Sequence, residues 1–167
     1  MDYFTHEWAR GDVDDVTYDD VLDRYRRFVG SLDQSTKVGQ FANEVSLNTA
    51  HIDHALYDGG HQRLELTVLN GDLQIGYWRT RLIYTGARLS GEDVLRRALA
   101  RRPTEVWYDE FSQSGAGMKH SFLLEPLAGR QMAFGGEFSV AFDVFAFEQQ
   151  SAPDRRLLTE DDRSHWL

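Results

Sequence analysis

The chain has 167 residues, of which 41% are apolar, 27% charged and 13% aromatic, with a formal net charge of −9. That composition suits one folded domain with a sizeable core and argues against disorder. The absence of cysteine excludes disulfides, thiolate metal sites and cysteine nucleophiles, and no apolar run approaches the roughly 20 residues that span a bilayer.

The opening Met1-Asp2-Tyr3-Phe4 has no basic stretch followed by an apolar one, so no secretory leader is read and a cytoplasmic location is expected. Tyr3, Phe4 and Trp8 form an aromatic opening expected to pack onto the body of the domain. Asp2, Glu7, Asp12, Asp14, Asp15, Asp19, Asp20 and Asp23 face only one base, Arg10, in the same stretch. Such a segment repels nucleic acid and attracts a basic protein; acids also favour the start of a helix. Val21, Leu22, Tyr25, Phe28, Val29 and Leu32 recur at helical spacing and predict an amphipathic helix over Tyr18 to Leu32, with Thr17 and Asp20 as its cap. Asp33 to Phe41 reads as a loop, and Val45 to Tyr57 as extended.

Asn70-Gly71 stands between two alternating runs, Leu64 to Val68 and Ile75 to Tyr84. Asn-Gly suits a type I′ turn, so a long antiparallel hairpin turning at these two residues is expected. Ser90 is read as the cap of a second short helix near 91–101, with Val94, Leu95, Ala98 and Leu99 as its apolar face and Pro103 as its stop. Strands follow over Thr104–Phe111, Lys119–Glu125 and a final run across Gln131–Phe147, with Gly135-Gly136 as a bulge or bend. Turns are placed at Ser114-Gly115-Ala116-Gly117 and Pro126 to Gly129. Residues 149–167 read as a polar tail with a short terminal helix. The expected organisation is a single domain, residues 1–167. A segment 1–33 with its helix precedes a β-rich body over 44–148. The fold class is α+β: an antiparallel β-sheet or sandwich of about six or seven strands, with an N-terminal amphipathic helix and a second short helix.

Three of the six histidines lie in His51 to His61, beside Asp53 and Asp58. On a helix, His51, His54, Asp58 and His61 would share a face suited to zinc or iron. Gly59-Gly60 would break that helix, and on a strand His51 and His54 diverge, so a metal site would need help from His120 or Asp109. Asp109 and Glu110 sit among Trp107, Tyr108 and Phe111, where burial raises carboxyl pKa values. As neighbours on a strand they point to opposite faces, and one is expected to pair across strands with Lys119 or an arginine. Arg79 and Arg81 share a strand face with Tyr77, opposite Trp78 and Tyr84, and read as an exposed outer sheet face. Phosphate-loop, dinucleotide, serine-elbow and His-Glu-x-x-His motifs are missing. No catalytic, cofactor-binding or metal residue is assigned, and no cofactor.

Tyr3-Phe4-Thr5-His6-Glu7-Trp8 and Val106-Trp107-Tyr108-Asp109-Glu110-Phe111 resemble segments of uncharacterised bacterial proteins with a YFTxEW start and a LYDEF-like strand. Asp53-His54-Ala55, with Leu64–Val68 and Gly71–Tyr84, is similar to a β-rich pattern in small bacterial domains, some thought to be immunity proteins against toxins. The pattern has His-Asp-Ala where this chain has Asp-His-Ala. The resemblance implies a bacterial cytosolic protein of unknown function and brings no catalytic residues. The leading expectation is thus a non-enzymatic, immunity-like interaction module that uses the acidic N-terminal segment and exposed sheet aromatics, with a basic protein partner, no nucleic acid and no membrane. The alternatives are a small metal-assisted hydrolase using His51, His54 or His61, and a sugar- or small-ligand-binding β-sandwich.

Overall fold

The computed structural model describes residues 1–101, 103–115, 117–127 and 133–157. In chain order these form α1 (His6–Ala9), α2 (Asp15–Ser31), α3 (Lys37–Glu44), β1 (His51–Asp58), β2 (Arg63–Asp72), β3 (Gly76–Thr85), β4 (Arg88–Ser90), α4 (Glu92–Ala100), β5 (Val106–Ser114), β6 (Gly117–Leu127), β7 (Ala133–Phe142) and β8 (Val144–Ser151). Two four-stranded antiparallel sheets result, ordered β1-β2-β3-β8 and β4-β7-β6-β5. The alternation along each strand sends one set of side chains inward. Leu64, Leu66, Val68, Leu82 and Tyr84 of the first sheet meet Val106, Phe122, Leu124, Phe138 and Val140 of the second in one core. Tyr84 lies 5.5 Å from Phe142, and Phe111 5.5 Å from Phe145, between ring centroids. Each such buried side chain contributes roughly 1.5–3 kcal/mol. The architecture is an α+β sandwich.

The sheets meet at two seams. At one, the chain leaves β3 for β4 through Gly86 and Ala87, and leaves β7 for β8 at Asp143. Asp143 N–H donates to the Thr85 carbonyl at 3.0 Å, and its carboxylate lies 3.5 Å from Arg88. At the other, Ile52 N–H donates to Thr104 O at 3.0 Å and Val106 N–H to Ala50 O at 2.8 Å. The final run read across Gln131–Phe147 is therefore two strands in its described part, belonging to different sheets and broken at Asp143; Gln131 lies outside the described residues. Pro126 is still in β6, and Ala128 and Gly129 also lie outside them. Gly135-Gly136 forms no bulge, since Leu124↔Gly136 and Pro126↔Phe134 keep one register. α4 rests there instead, with Val94 methyls 3.1 Å from where a Gly136 Cβ would stand.

The Asn70-Gly71 hairpin exists, but its turn lies further on. Pairing continues through Asn70↔Trp78 and Gly71↔Tyr77 to Asp72↔Gly76. The Asp72 carboxylate accepts from Gln74 N at 2.7 Å and Ile75 N at 2.9 Å, and Gly76 follows at φ 89°. This is a three-residue loop closed by a left-handed glycine. Asn70 is buried instead: its amide oxygen accepts from Thr80 Oγ1 at 2.6 Å, and its Nδ2 donates to Ser46 O at 3.3 Å. A buried polar ladder across β2 and β3 outweighs the turn preference of the dipeptide.

Three helix starts also differ from expectation. α2 begins earlier, because Asp14 and not Thr17 is the cap; Thr17 N donates to Asp14 Oδ1 at 3.0 Å. α3 occupies much of the segment expected as a loop. Thr36 caps it, and Phe41 points into the core. Gly91, not Ser90, precedes α4, without a side-chain cap.

The two terminal segments cover the outer faces. Phe4, Trp8 and Val21 pack with Tyr3, Leu22, Tyr25 and Tyr108 outside the second sheet. Glu110 anchors them, its fully buried carboxylate accepting from the backbone N–H groups of Asp2, Tyr3 at 3.0 Å and Phe4 at 2.8 Å. Over the first sheet, Ala152 N donates to Tyr77 O at 2.8 Å, and the Arg155 guanidinium sits 4.2 Å from the Tyr77 ring centroid. The short terminal helix expected near the end of the chain falls outside the described residues.

Candidate functional site

The histidines of the 51–61 segment take separate places. His51 Nε2 lies 3.1 Å from Glu105 at the seam between β1 and β5. His54 follows a bulge in β1, and Asp53, next to the core residue Ile52, is fully buried 3.7 Å from Arg79. His61 belongs to the exposed β1–β2 turn and pairs with Asp58 at 2.6 Å. Among the described residues no three His, Asp or Glu side chains gather as a metal site would require.

Asp109 and His120, expected as help for a metal site in that segment, come together with each other instead. β5 pairs with β6 in a register that sets Asp109 opposite Phe122 and Phe111 opposite His120. Asp109 Oδ2 lies 2.9 Å from His120 Nε2, and His120 Nδ1 lies 2.8 Å from the Tyr84 hydroxyl across the core. His120 is fully buried, stacked on Phe111 at 4.0 Å and against Phe122 at 4.2 Å. Burial lowers its pKa, against the opposing hydrogen bond and charge of Asp109. Burial also holds the Tyr84 hydroxyl far above the usual phenol range, so it remains a donor. With a neutral ring the tautomer follows: Nδ1 accepts from Tyr84 and Nε2–H donates to Asp109. Asp109 thus pairs with His120 rather than with Lys119, which lies 3.1 Å from Asp2.

Asp109 keeps 16% of its side-chain surface, where it opens into a cleft of about 320 Å³ between β5, α2 and the end of α3. Tyr25, Asn43, Glu44, Ser46 and Phe111 line it as well, and among the described residues no base does. The Tyr25 hydroxyl accepts from Phe111 N–H at 3.2 Å. Its pKa is raised by burial first and by the Asp109 charge second, which keeps it protonated. Sequence reasoning missed Tyr84, Tyr25, Asn43 and Glu44. The available signal was the inward register that Tyr84 and His120 share with the apolar residues beside them.

Helix α2 carries a second feature. Asp12, Asp14, Asp15, Asp19, Asp20 and Asp23 are all exposed around Val16, itself 79% exposed. Arg10 pairs with Asp12 at 2.8 Å, Arg24 with Asp20 at 3.6 Å and Arg26 with Asp23 at 3.2 Å. Asp15 and Asp19 pair with no base among the described residues. The outer face of β3 is less open than expected. Arg79 is only 11% exposed beneath residues 152–157 and donates to Arg156 O at 2.8 Å, while Arg81 Nε donates to Glu65 at 2.8 Å.

Among the described residues no helix is long and apolar enough to cross a membrane. No protein-family model matches the chain, and no curated protein or solved structure is detectably similar to it.

Proposed function

We propose that this chain is a protein-interaction module, immunity-like in kind, whose acidic α2 surface receives a basic protein. The exposed apolar Val16 among carboxylates, three of which (Asp14, Asp15 and Asp19) have no cation of their own among the described residues, carries the reading. The acids gather over the first turns of α2, ahead of Arg24, Arg26 and Arg27; a local excess of one sign steers a partner of opposite sign, and an apolar residue inside the patch gives it something to bury. The likeness of Asp53-His54-Ala55, Leu64–Val68 and Gly71–Tyr84 to a β-rich pattern in small bacterial domains, some thought to be immunity proteins, supports the same reading.

The test has two arms applied to one complex. A basic partner retained by the full chain should bind at least about tenfold more weakly when ionic strength rises from about 0.05 to about 0.5 M. The Asp15→Asn/Asp19→Asn variant, altered only at exposed positions, should lose about tenfold in affinity at low salt while its thermal unfolding stays unchanged. A complex indifferent to both salt and the double substitution would refute this reading.

A further inference from the structure

We infer that the cleft beside Asp109 is a receptor for a guanidinium group, presented by an arginine side chain of the basic partner. The inference rests on the interaction reading for its source of arginine and on the cleft for its chemistry. Asp109 is a largely buried carboxylate whose described hydrogen-bond partner, His120, is a neutral ring. The imidazole, fully buried among aromatic rings, supplies a hydrogen bond and no positive charge, and its other nitrogen is taken up by the Tyr84 hydroxyl in the core. A carboxylate removed from water without a cation is costly, and a cation entering the cleft recovers that cost.

The second Asp109 oxygen accepts no hydrogen bond among the described residues. Glu44, at the last position of α3, adds another carboxylate to the same cleft, and Asn43 an amide whose nitrogen already donates to Gly39 O at 2.8 Å. The cleft therefore offers several acceptors and two carboxylates, with no competing base among the described residues. The rings of Tyr25 and Phe111 also line it. Planar guanidinium, with five donors and a flat face that stacks on aromatic rings, satisfies such a set better than a compact ammonium does. The helix that supplies Tyr25 is the one that carries Asp15 and Asp19, so the exposed acids attract and the cleft anchors.

Nuclear magnetic resonance of the isotopically labelled full chain, titrated with N-acetyl-arginine amide, tests the cleft without a partner. Saturable shifts are expected at Asp109, Phe111 and Glu44, with the neutral isostere N-acetyl-citrulline amide binding about tenfold more weakly or not at all. Asp109→Asn should weaken the arginine probe about tenfold, and Glu44→Gln, at an exposed position that keeps the fold, about threefold. Asp15→Asn/Asp19→Asn should leave the free probe's affinity within about twofold, since it removes steering and not the anchor. Equal binding of arginine and citrulline, or shifts confined to other surfaces, overturns the inference. So does a partner complex whose affinity Asp109→Asn and Glu44→Gln both leave unchanged, a result the interaction reading would survive. A cleft that binds the probe in a chain that retains no basic partner removes the interaction reading and leaves the cleft standing.

Discussion

At the scale of single residues, two buried ionisable side chains do opposite jobs. Glu110 holds the backbone of the N-terminal segment; burial pushes its pKa up, and the three N–H donors pull the other way. Glu110→Gln keeps the size but leaves one accepting oxygen for three donors. Chemical denaturation followed by Trp8 fluorescence should show a loss of about 2–3 kcal/mol. His120 works through its neutrality. The unfolded imidazole titrates near about 6.5 and the folded one lower, so between the two values the unfolded chain binds more protons. Stability is then whole above about pH 6.5 and falls on acidification, by up to about 1.4 kcal/mol per pH unit within that window. Tyr84, Asp109 and the rings of Phe41, Phe111 and Phe122 are its neighbours, and of these Asp109 opposes the shift. Urea midpoints measured from about pH 7 to about pH 5 should decline while the His120 imidazole resonance titrates below the ordinary histidine range. An imidazole that titrates at or above that range would contradict the assignment.

At the scale of elements, the β2–β3 hairpin offers a direct check on where its turn lies. A Cβ at Gly71 would stand 2.1 Å from the Gly76 carbonyl oxygen, and Gly71 has φ 109°, whereas a Cβ at Gly76 would meet open space. Gly71→Ala should cost more than about 2 kcal/mol, and Gly76→Ala only about 1 kcal/mol for its positive φ. Equal, mild effects in thermal unfolding would return the turn to Asn70-Gly71. The same hairpin shows what was legible. Alternation found the strands and their faces, because period two is a property of the local chain. It could not see that Asn70 has Thr80 and Ser46 as partners, because those contacts depend on how far the pairing runs. α3 escaped notice for a similar reason. Val38, Phe41, Ala42 and Val45 carry a short helical pattern, but Gly39 is a poor helix former. Its lack of a side chain matters only once the chain at Asp33 lies against it, where a Cβ would stand 2.3 Å from the Asp33 oxygen. In the candidate site, Asp109 and His120 were visible as residue types. Their pairing, and Tyr84 and Tyr25 beside them, came from strand register and helix placement.

At the scale of the whole molecule, the two sheets are interlocked by the order in which the chain builds them. β3 pairs on one side with β2, its neighbour in sequence, and on the other with β8, through partners such as Trp78↔Ser151 and Thr85↔Val144. All of the second sheet lies between those partners. During synthesis the free edge of β3 must therefore wait, with unpaired N–H and C=O groups, until β4 to β7 have been made and β8 follows them. Closing so long a loop is slow, and an open strand edge is a template for another chain. Asp143, where β7 ends and β8 begins, donates to the last residue of β3, so the pairing of β8 with β3 starts directly at the seam. The strand that completes the first sheet is thus the last one made, and until it pairs the nascent protein keeps an adhesive edge.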